Sequence, residues 1–430
     1  MKDINIHVKY LTRVEGHGDI VVNANNGNIE KISLDVIESP RFFEGFMIGR
    51  PWNEISHIVC RICGICSVGH STASIKATEE AFGIIPSEQT ITLRKLNLYA
   101  EFIQSHILHL YFLAVPDFLN VTSAFKLIPT HPQAVLRGLK LKKLANDFSG
   151  VICGRHIHNL SQVVGGYTAI PKKKDLEDVL RRLEEALPDL NETVELLKQL
   201  KMPELDRETE YISLQSDNEF ALYDGEIYSS DTGRDNHKNY KKYTNEFCVP
   251  HSTAKHAKAN RDSFMVGSLA RVNNNFDKLS PLAKSVASSV GFKAPINNPY
   301  YNNVAQLIET AHCFEESIKM LTELTRKGLK EETPKVTVRA GNGVGAVEVP
   351  RGILYHEYSY NSEGKLTYAN CIIPTGQNLE NIELDMKKLV PEIIEKENES
   401  EITKKLEMLV RAYDPCISCS THLLNVDFKK

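Results

Sequence analysis

Arg61-Ile-Cys-Gly-Ile-Cys-Ser-Val-Gly-His70 carries one CxxC pair, and Asp414-Pro-Cys-Ile-Ser-Cys-Ser-Thr-His422, near the far end of the chain, carries a second. Two residues between cysteines let both sulfurs turn toward one ion, and Gly64 eases the tight backbone wrap. If both pairs build one site, the two ends of the chain must meet in the core, and the fold is then a single domain. Four thiolates suit a tetrahedral zinc ion, an iron–sulfur cluster or another soft transition metal. Usual zinc modules place the two pairs about 15–20 residues apart, whereas about 350 residues intervene here. Spacing alone leaves these metals open. A thioredoxin-like redox pair is a further reading, but nothing resembling that fold surrounds either motif.

The rest of the chain narrows the class. With 430 residues, 42% of them hydrophobic and 25% charged, the chain can bury a sizeable core. A net charge of −4 gives no electrostatic case for nucleic acid or an anionic membrane. No stretch reaches the roughly 20 apolar residues needed to span a bilayer; the most apolar, Leu108 to Leu119, is interrupted by His109, Pro116 and Asp117. The first ten residues alternate polar and apolar side chains without an apolar signal region, so a cytoplasmic address is expected. Nine cysteines, an odd number, disfavour a disulfide framework and favour metal or redox chemistry. Cys153, Cys248, Cys313 and Cys371 are scattered singles and read as small buried hydrophobes.

Around the two pairs the chain reads as α+β, mainly helical with peripheral β-hairpins. Gly18 to Val22 and Ile29 to Val36 alternate about an Asn25-Asn26-Gly27 turn, which predicts a hairpin within the first 40 residues. Apolar residues at Leu96, Ala100, Ile103, Ile107, Leu110 and Ala114 predict one long helix between Ser87 and Ala114. The same spacing predicts helices over Asp175 to Leu187 and Val304 to Leu324. Asp206 to Thr244 reads as an irregular or strand-containing insertion, and Ile353 to Ile373 as a second hairpin turning at Asn361 to Gly364. Glu380 to Arg411 reads as charged helix, with Glu395 to Glu401 on a solvated face.

The residues flanking the cysteines carry more than the spacing does. Together the two quoted motifs resemble the signature motifs of nickel–iron hydrogenase large subunits, in order, placement and separation. Leu11-Thr-Arg-Val-Glu-Gly-His-Gly18, Arg41-Phe-Phe-Glu-Gly45, Val349-Pro-Arg-Gly352 and Pro374-Thr-Gly-Gln-Asn378 resemble further segments of that family, so the likeness spans essentially the whole chain. It is nearest to the cytoplasmic, multi-subunit branch that includes sulfhydrogenases and NAD(P)-linked enzymes, and implies a long-helix bundle fold.

That resemblance implies a nickel–iron centre with cyanide and carbon monoxide on iron. Cys63 and Cys416 would be terminal nickel ligands, with Cys66 and Cys419 bridging to iron. Dihydrogen would be split reversibly and heterolytically, so a base must lie close by. The Cys416 thiolate, passing its proton to Glu15, is preferred to the guanidine of Arg351, because arginine is a poor base with a pKa above about 12. Pro350 and Arg351 would line the outer face of the iron, and Thr375 would offer a hydroxyl to a cyanide nitrogen. Asp117 and Asp414 would hold Arg351, and His70 would bond near a bridging sulfur. Read without the family, Glu15 is a surface carboxylate at a strand end, Asp117, Asp414 and Thr375 are turn residues, and His70 is structural. Glu44, His422 and the backbone carbonyl of Cys371 would hold a magnesium ion.

Partners follow by the same resemblance. With no spare cysteine cluster for an electron wire, an iron–sulfur small subunit is expected, and beyond it flavin, NAD(P)- or ferredoxin-linked subunits. A maturation protease would remove residues 423–430 after His422. A dihydrogen-sensing regulatory subunit with little turnover would share the same motifs.

Overall fold

A computed structural model describes residues 3–25 and 28–421. Most of the Asn25-Asn26-Gly27 turn, His422 and the tail 423–430 lie outside the described residues. Strands β1 (Ile4–Val8), β2 (Gly18–Asn25) and β3 (Asn28–Val36) form an antiparallel sheet, with Asn25 opposite Asn28 at the end of the predicted hairpin. Alternate β2 residues are buried, as a half-covered sheet requires.

Helix α1 (Ser67–Phe82) begins at Cys66 and is buried on nearly every face. Helix α2 (Glu88–Leu108) is capped by Ser87, whose hydroxyl accepts from Thr90 N at 3.1 Å. The predicted helix continues to Ala114, but its last six residues widen into a π-helix. The other two predicted helices form as Lys173–Glu185 and as α3 (Asn302–Lys327). Asp206 to Thr244 contributes the short strands Glu210–Gln215, Glu226–Ser229 and Gly233–Asp235, joined in one sheet by Phe264–Met265.

The second hairpin is the outer part of a three-stranded meander, β4 (Gly341–Val349), β5 (Gly352–Tyr360) and β6 (Leu366–Ile372). Its turn is held by Asn361, whose side-chain oxygen accepts from the backbone N–H of Glu363 and Lys365. Strand β4 escapes the sequence reading because its glycines mask the alternation. The charged stretch after it is two helices, α4 (Pro374–Ile393) and α5 (Glu399–Ala412). They break where a solvated helix face was expected, because Asn398 and Glu401 form a capping box. Of the single cysteines, Cys153, Cys313 and Cys371 are buried as expected, but Cys248 is exposed.

One contact fixes the middle of the molecule. Gly341, Gly343 and Gly345 of β4 lie on Ala81, Ala77 and Ala73 of α1. A Cβ added at each glycine would fall 2.2, 2.2 and 2.0 Å from those alanines' carbonyl oxygens. Four residues of helix rise about 6 Å and two of strand about 6.7 Å, so an alanine every fourth residue keeps step with a glycine every second. At the end of this run, Gly69 takes the side chain of Val349. The helix start at Cys66 is thereby set beside the β4–β5 turn that carries Pro350 and Arg351.

Buried charge completes the frame. The Arg271 guanidinium pairs with Glu309 at 2.6 and 2.8 Å and with Glu348 at 2.8 Å, all fully buried. It also donates to the carbonyls of Val349 and Pro350, each at 2.9 Å. Burial works to raise the Glu309 carboxyl, but Arg271 outweighs it and holds the group at about 2. Burial prevails at Glu348 and pushes it up to about 7. The β4–β5 turn therefore hangs on a fixed cation.

Since a backbone carbonyl cannot rotate away, Gly345→Ala is expected to cost about 1–3 kcal/mol or more. Gly45→Ala, where an added Cβ meets open space, is expected to be close to neutral. Denaturant midpoints of both variants check this; a Gly345→Ala chain as stable as its parent would remove the packing constraint.

Candidate metal centre

Both CxxC pairs converge in the core. The Cys63 and Cys416 sulfurs are 3.5 Å apart, those of Cys66 and Cys419 3.7 Å, and all four lie within 4.8 Å of one another. Each cysteine is at most 4% exposed. Cys63 and Cys66 stand at the entry of α1, while Cys416 precedes the one-turn helix Ile417–Ser420 and Cys419 lies within it. Hydrogen bonds from Cys416, Cys419 and Cys66 hold the Cys63 thiol well below its ordinary range. Burial pushes Cys416 and Cys419 up. Four thiols packed this way cannot all ionise without a cation among them, so the donor set fits a soft transition metal.

The Cys416 pair is held against the N-terminal segment. Glu15 and Cys416 form a parallel β-bridge, in which Ile417 N donates to Glu15 O at 2.8 Å. The Glu15 carboxylate lies 3.1 Å from Cys416 Sγ and accepts from Ser418 through both its N–H and its hydroxyl. Gly16 makes this approach, with φ +86° and its Cα 's missing side chain leaving room for Ile417 and Glu38. Thr375, at the start of α4, accepts from Cys416 N at 2.9 Å, leaving its hydroxyl proton to be donated elsewhere.

Arg351 is fully enclosed above the cluster. Its Nε donates to the Asp414 carbonyl at 2.6 Å and one terminal nitrogen to the Asp414 carboxylate at 2.9 Å. The other terminal nitrogen is buried with no hydrogen-bond partner among the described residues. Burial alone would discharge the guanidinium, but Asp414 and the cysteine sulfurs of the cluster outweigh it and raise its pKa further. Pro350 precedes it in the turn pinned by Arg271.

Asp117 differs from expectation. Its carboxylate is taken by Arg411, at 2.9 Å to each oxygen, and by Arg13, so it does not hold Arg351. Arg411 also donates to Thr12 O and Arg13 to Leu113 O. Asp117 thus ties down the segment that presents Glu15, one step away from the role assigned to it. The His70 Nδ1 lies 3.2 Å from His356 Nε2, and His356 Nδ1 2.6 Å from the Tyr358 hydroxyl, a buried chain leading into the β-meander. Glu44 accepts from Cys371 N at 2.7 Å, so the two residues adjoin through the N–H of Cys371 and not through the carbonyl expected to bind magnesium; His422 lies outside the described residues.

The chain also matches known proteins. A family model described as nickel-dependent hydrogenase matches residues 41–137 and 213–422. The chain belongs to the nickel-dependent hydrogenase family. It is 33% identical over 423 residues to the sulfhydrogenase 1 subunit alpha of Pyrococcus furiosus, covering 98% of each protein. The sulfhydrogenase 2 subunit alpha of the same organism is 32% identical, covering 98% of this chain and all of that one. Among solved structures, an NAD+-reducing [NiFe]-hydrogenase in the H2-reduced state superposes with a TM-score of 0.89 at 27% identity, covering 98% of this chain and 100% of that chain. The Ni-Fe-Se hydrogenase from D. vulgaris Hildenborough shares the fold, with a TM-score of 0.80 at 22% identity. The chain is accordingly an enzyme of the hydrogenase class, and its α+β fold is that of the family's large subunits. No helix among its described residues is long and apolar enough to cross a membrane.

Sequence reading missed Glu101 and Arg271. Helix α2 is buried all round, and Arg94, Asn97, Glu101 and Gln104 form a polar stripe at helical spacing along it. That stripe was the available signal. Glu101 accepts from Val68 N at 2.7 Å and Gly69 N at 3.0 Å, capping α1 directly behind Cys66. Burial, with the Cys63 thiolate nearby, pushes its carboxyl up to about 8 despite those two bonds. Unfolded, it would titrate near ~4.3, so between there and about 8 the folded hydrogenase chain holds a proton that the unfolded chain has lost. Stability owed to Glu101 is therefore full below that window and lost as pH rises through it. The stability difference between the parent and Glu101→Gln is expected to shrink steadily from pH ~5 to ~8. Thermal midpoints across that range check it, and a flat difference would contradict it.

Proposed function

We propose that this chain is the catalytic large subunit of a hydrogenase, cleaving dihydrogen reversibly into protons and electrons. The observation that carries the reading is a half-buried carboxylate, Glu15, 3.1 Å from one sulfur of a sealed four-cysteine cluster. Cys63, Cys66, Cys416 and Cys419 would hold a nickel–iron centre with cyanide and carbon monoxide on iron, which would supply the Lewis-acid and redox chemistry that splits dihydrogen.

The protein's own groups then handle the proton and exclude water. Cys416 Sγ receives the proton and Glu15 Oε2 takes it on, with Ser418 N–H and O–H holding the carboxylate in line. Arg351 is unsuited to that step, because its neighbours keep it charged. Its fixed positive charge, with one terminal N–H group left unpartnered among the described residues, and the Thr375 hydroxyl would instead serve as donors. Pro350 covers the outer face without adding an N–H. His70 braces the helix turn behind Cys66.

Glu44 and the Cys371 carbonyl, with His422, would bind magnesium. Electrons would leave to an iron–sulfur small subunit and from there to a soluble acceptor such as NAD(P) or ferredoxin; that relatives are named alpha subunits and an NAD+-reducing enzyme supports a multi-subunit assembly of this kind.

Glu15→Gln is expected to keep full nickel and iron content while dihydrogen oxidation and hydrogen–deuterium exchange fall about 10²–10⁴-fold. Metal analysis, infrared spectroscopy of the cyanide and carbon monoxide bands, and exchange assays check it together. Unchanged exchange would remove Glu15 from the proton route. Stoichiometric zinc without the infrared bands would overturn the nickel–iron reading.

A further inference from the structure

A second cluster of metal-ligating groups lies away from the four cysteines. His251 follows the short strand Asn245–Phe247, and His256 opens the strand His256–Lys258 that pairs back onto it. Both face helix α4, where Glu380 and Glu383 stand one turn apart. A ligand atom from each of His251, His256 and Glu383 lies within 4.8 Å of the others. His256 is fully buried, Glu383 nearly so, and His251 is at the rim with 21% of its side chain exposed.

The two histidines are held differently. His256 Nδ1 is 2.8 Å from a Glu380 oxygen, which fixes the ring and its tautomer. Its other nitrogen, Nε2, is buried without a hydrogen-bond partner among the described residues. A carboxylate on one imidazole nitrogen with the other nitrogen left bare is how proteins orient a metal-binding histidine. His251 Nε2 is 2.7 Å from Glu383 Oε1, a contact that an ordinary ion pair would explain alone. An ordinary pair gives no reason for the bare nitrogen of His256 beside it.

We propose that His251, His256 and Glu383 form a second metal site, for a borderline divalent cation of the zinc type. Two imidazoles and one carboxylate suit zinc, cobalt or nickel and are a poor set for magnesium or calcium. Bonds of about 2.0–2.2 Å require the ligand atoms to draw in slightly and His251 to exchange its hydrogen bond for the metal. Water fills the fourth position from the exposed rim. Lys387, 3.8 Å from a Glu383 oxygen and itself half-exposed, gives way to solvent.

The site would brace three parts of the fold. Glu383 also accepts from Leu34 N of β3 at 3.1 Å, and Thr253 N donates to Val36 O at 2.9 Å. An ion here joins the N-terminal sheet and the 245–258 hairpin to α4, the helix whose first turn presents Thr375 to Cys416. Its role is structural, and it stands independently of the proposed reaction at the cysteines.

The test is cobalt and zinc titration of the full-length purified protein after a chelator wash, with metal content measured before and after. One equivalent of cobalt is expected, giving visible ligand-field bands without the intense thiolate charge-transfer absorption that binding at the cysteines would produce. Zinc should displace it. His256→Gln and Glu383→Gln should each weaken binding at least ~10-fold, and Glu380→Gln by about 10–100-fold. His251→Ala, at the exposed rim, keeps the test open should a buried variant unfold, and it too should weaken binding. No cobalt bound outside the cysteines, or binding undiminished in folded His251→Ala, overturns the proposal, whatever the hydrogenase assay shows.

Discussion

The close approach of helix α1 to the glycines of β4 sets the position of both sides of the cysteine site. Alanine carbonyls at every fourth residue meet glycine Cα atoms at every second, and any larger side chain would lift the helix from the strand. The run ends where Gly69 receives Val349, so the first CxxC and the Pro350-Arg351 turn are neighbours by construction. A gap of one methyl group along this seam would move Cys63 and Cys66 relative to Arg351. Small residues here act on function through distance, although none of them touches the cluster's chemistry.

The opposite half of the site arrives from the chain's other end, and charge brings it in. Asp117 clamps Arg411 and Arg13, which places the 12–15 segment where Glu15 can bridge Cys416. Arg271 does the same for the β4–β5 turn. Buried ion pairs of this sort are often no more stabilising than a well-packed apolar core. Their value here is that they hold backbone carbonyls in place around a cluster that itself needs a fixed geometry.

Much of this was legible in the sequence, and the gaps have physical causes. The CxxC pairs, Glu15, Arg351, Asp414 and Thr375 sit in contiguous motifs, and the structure gathers them within a few bonds of one another. The long amphipathic helices were readable because their apolar spacing is regular. Strand β4 was not, since Gly341, Gly343 and Gly345 carry no side chains to alternate. Asp117 was placed on the wrong arginine because a motif gives a residue's neighbourhood, while the choice among Arg13, Arg351 and Arg411 is made by packing alone. Arg271 and Glu101 lie in helices with polar residues on their buried faces, where an apolar stripe alone does not mark the inside.

Two carboxylates beside the cysteine segments show how environment divides similar groups. Glu101 is sealed behind α1, capping its first N–H groups, and burial favours its neutral form into the range of ordinary working pH. A group so enclosed can fix the helix start and soften the local negative charge, but it has no outlet. Glu15 is half-buried, touches Cys416 on one side, and lies two residues before exposed His17, whose ring lies 3.7 Å from Glu38. Glu15 is thus partly open to solvent, whereas Glu101 is enclosed in the core. The proposed proton route therefore runs through the N-terminal segment, which the positive φ of Gly16 lets pass close to Cys416.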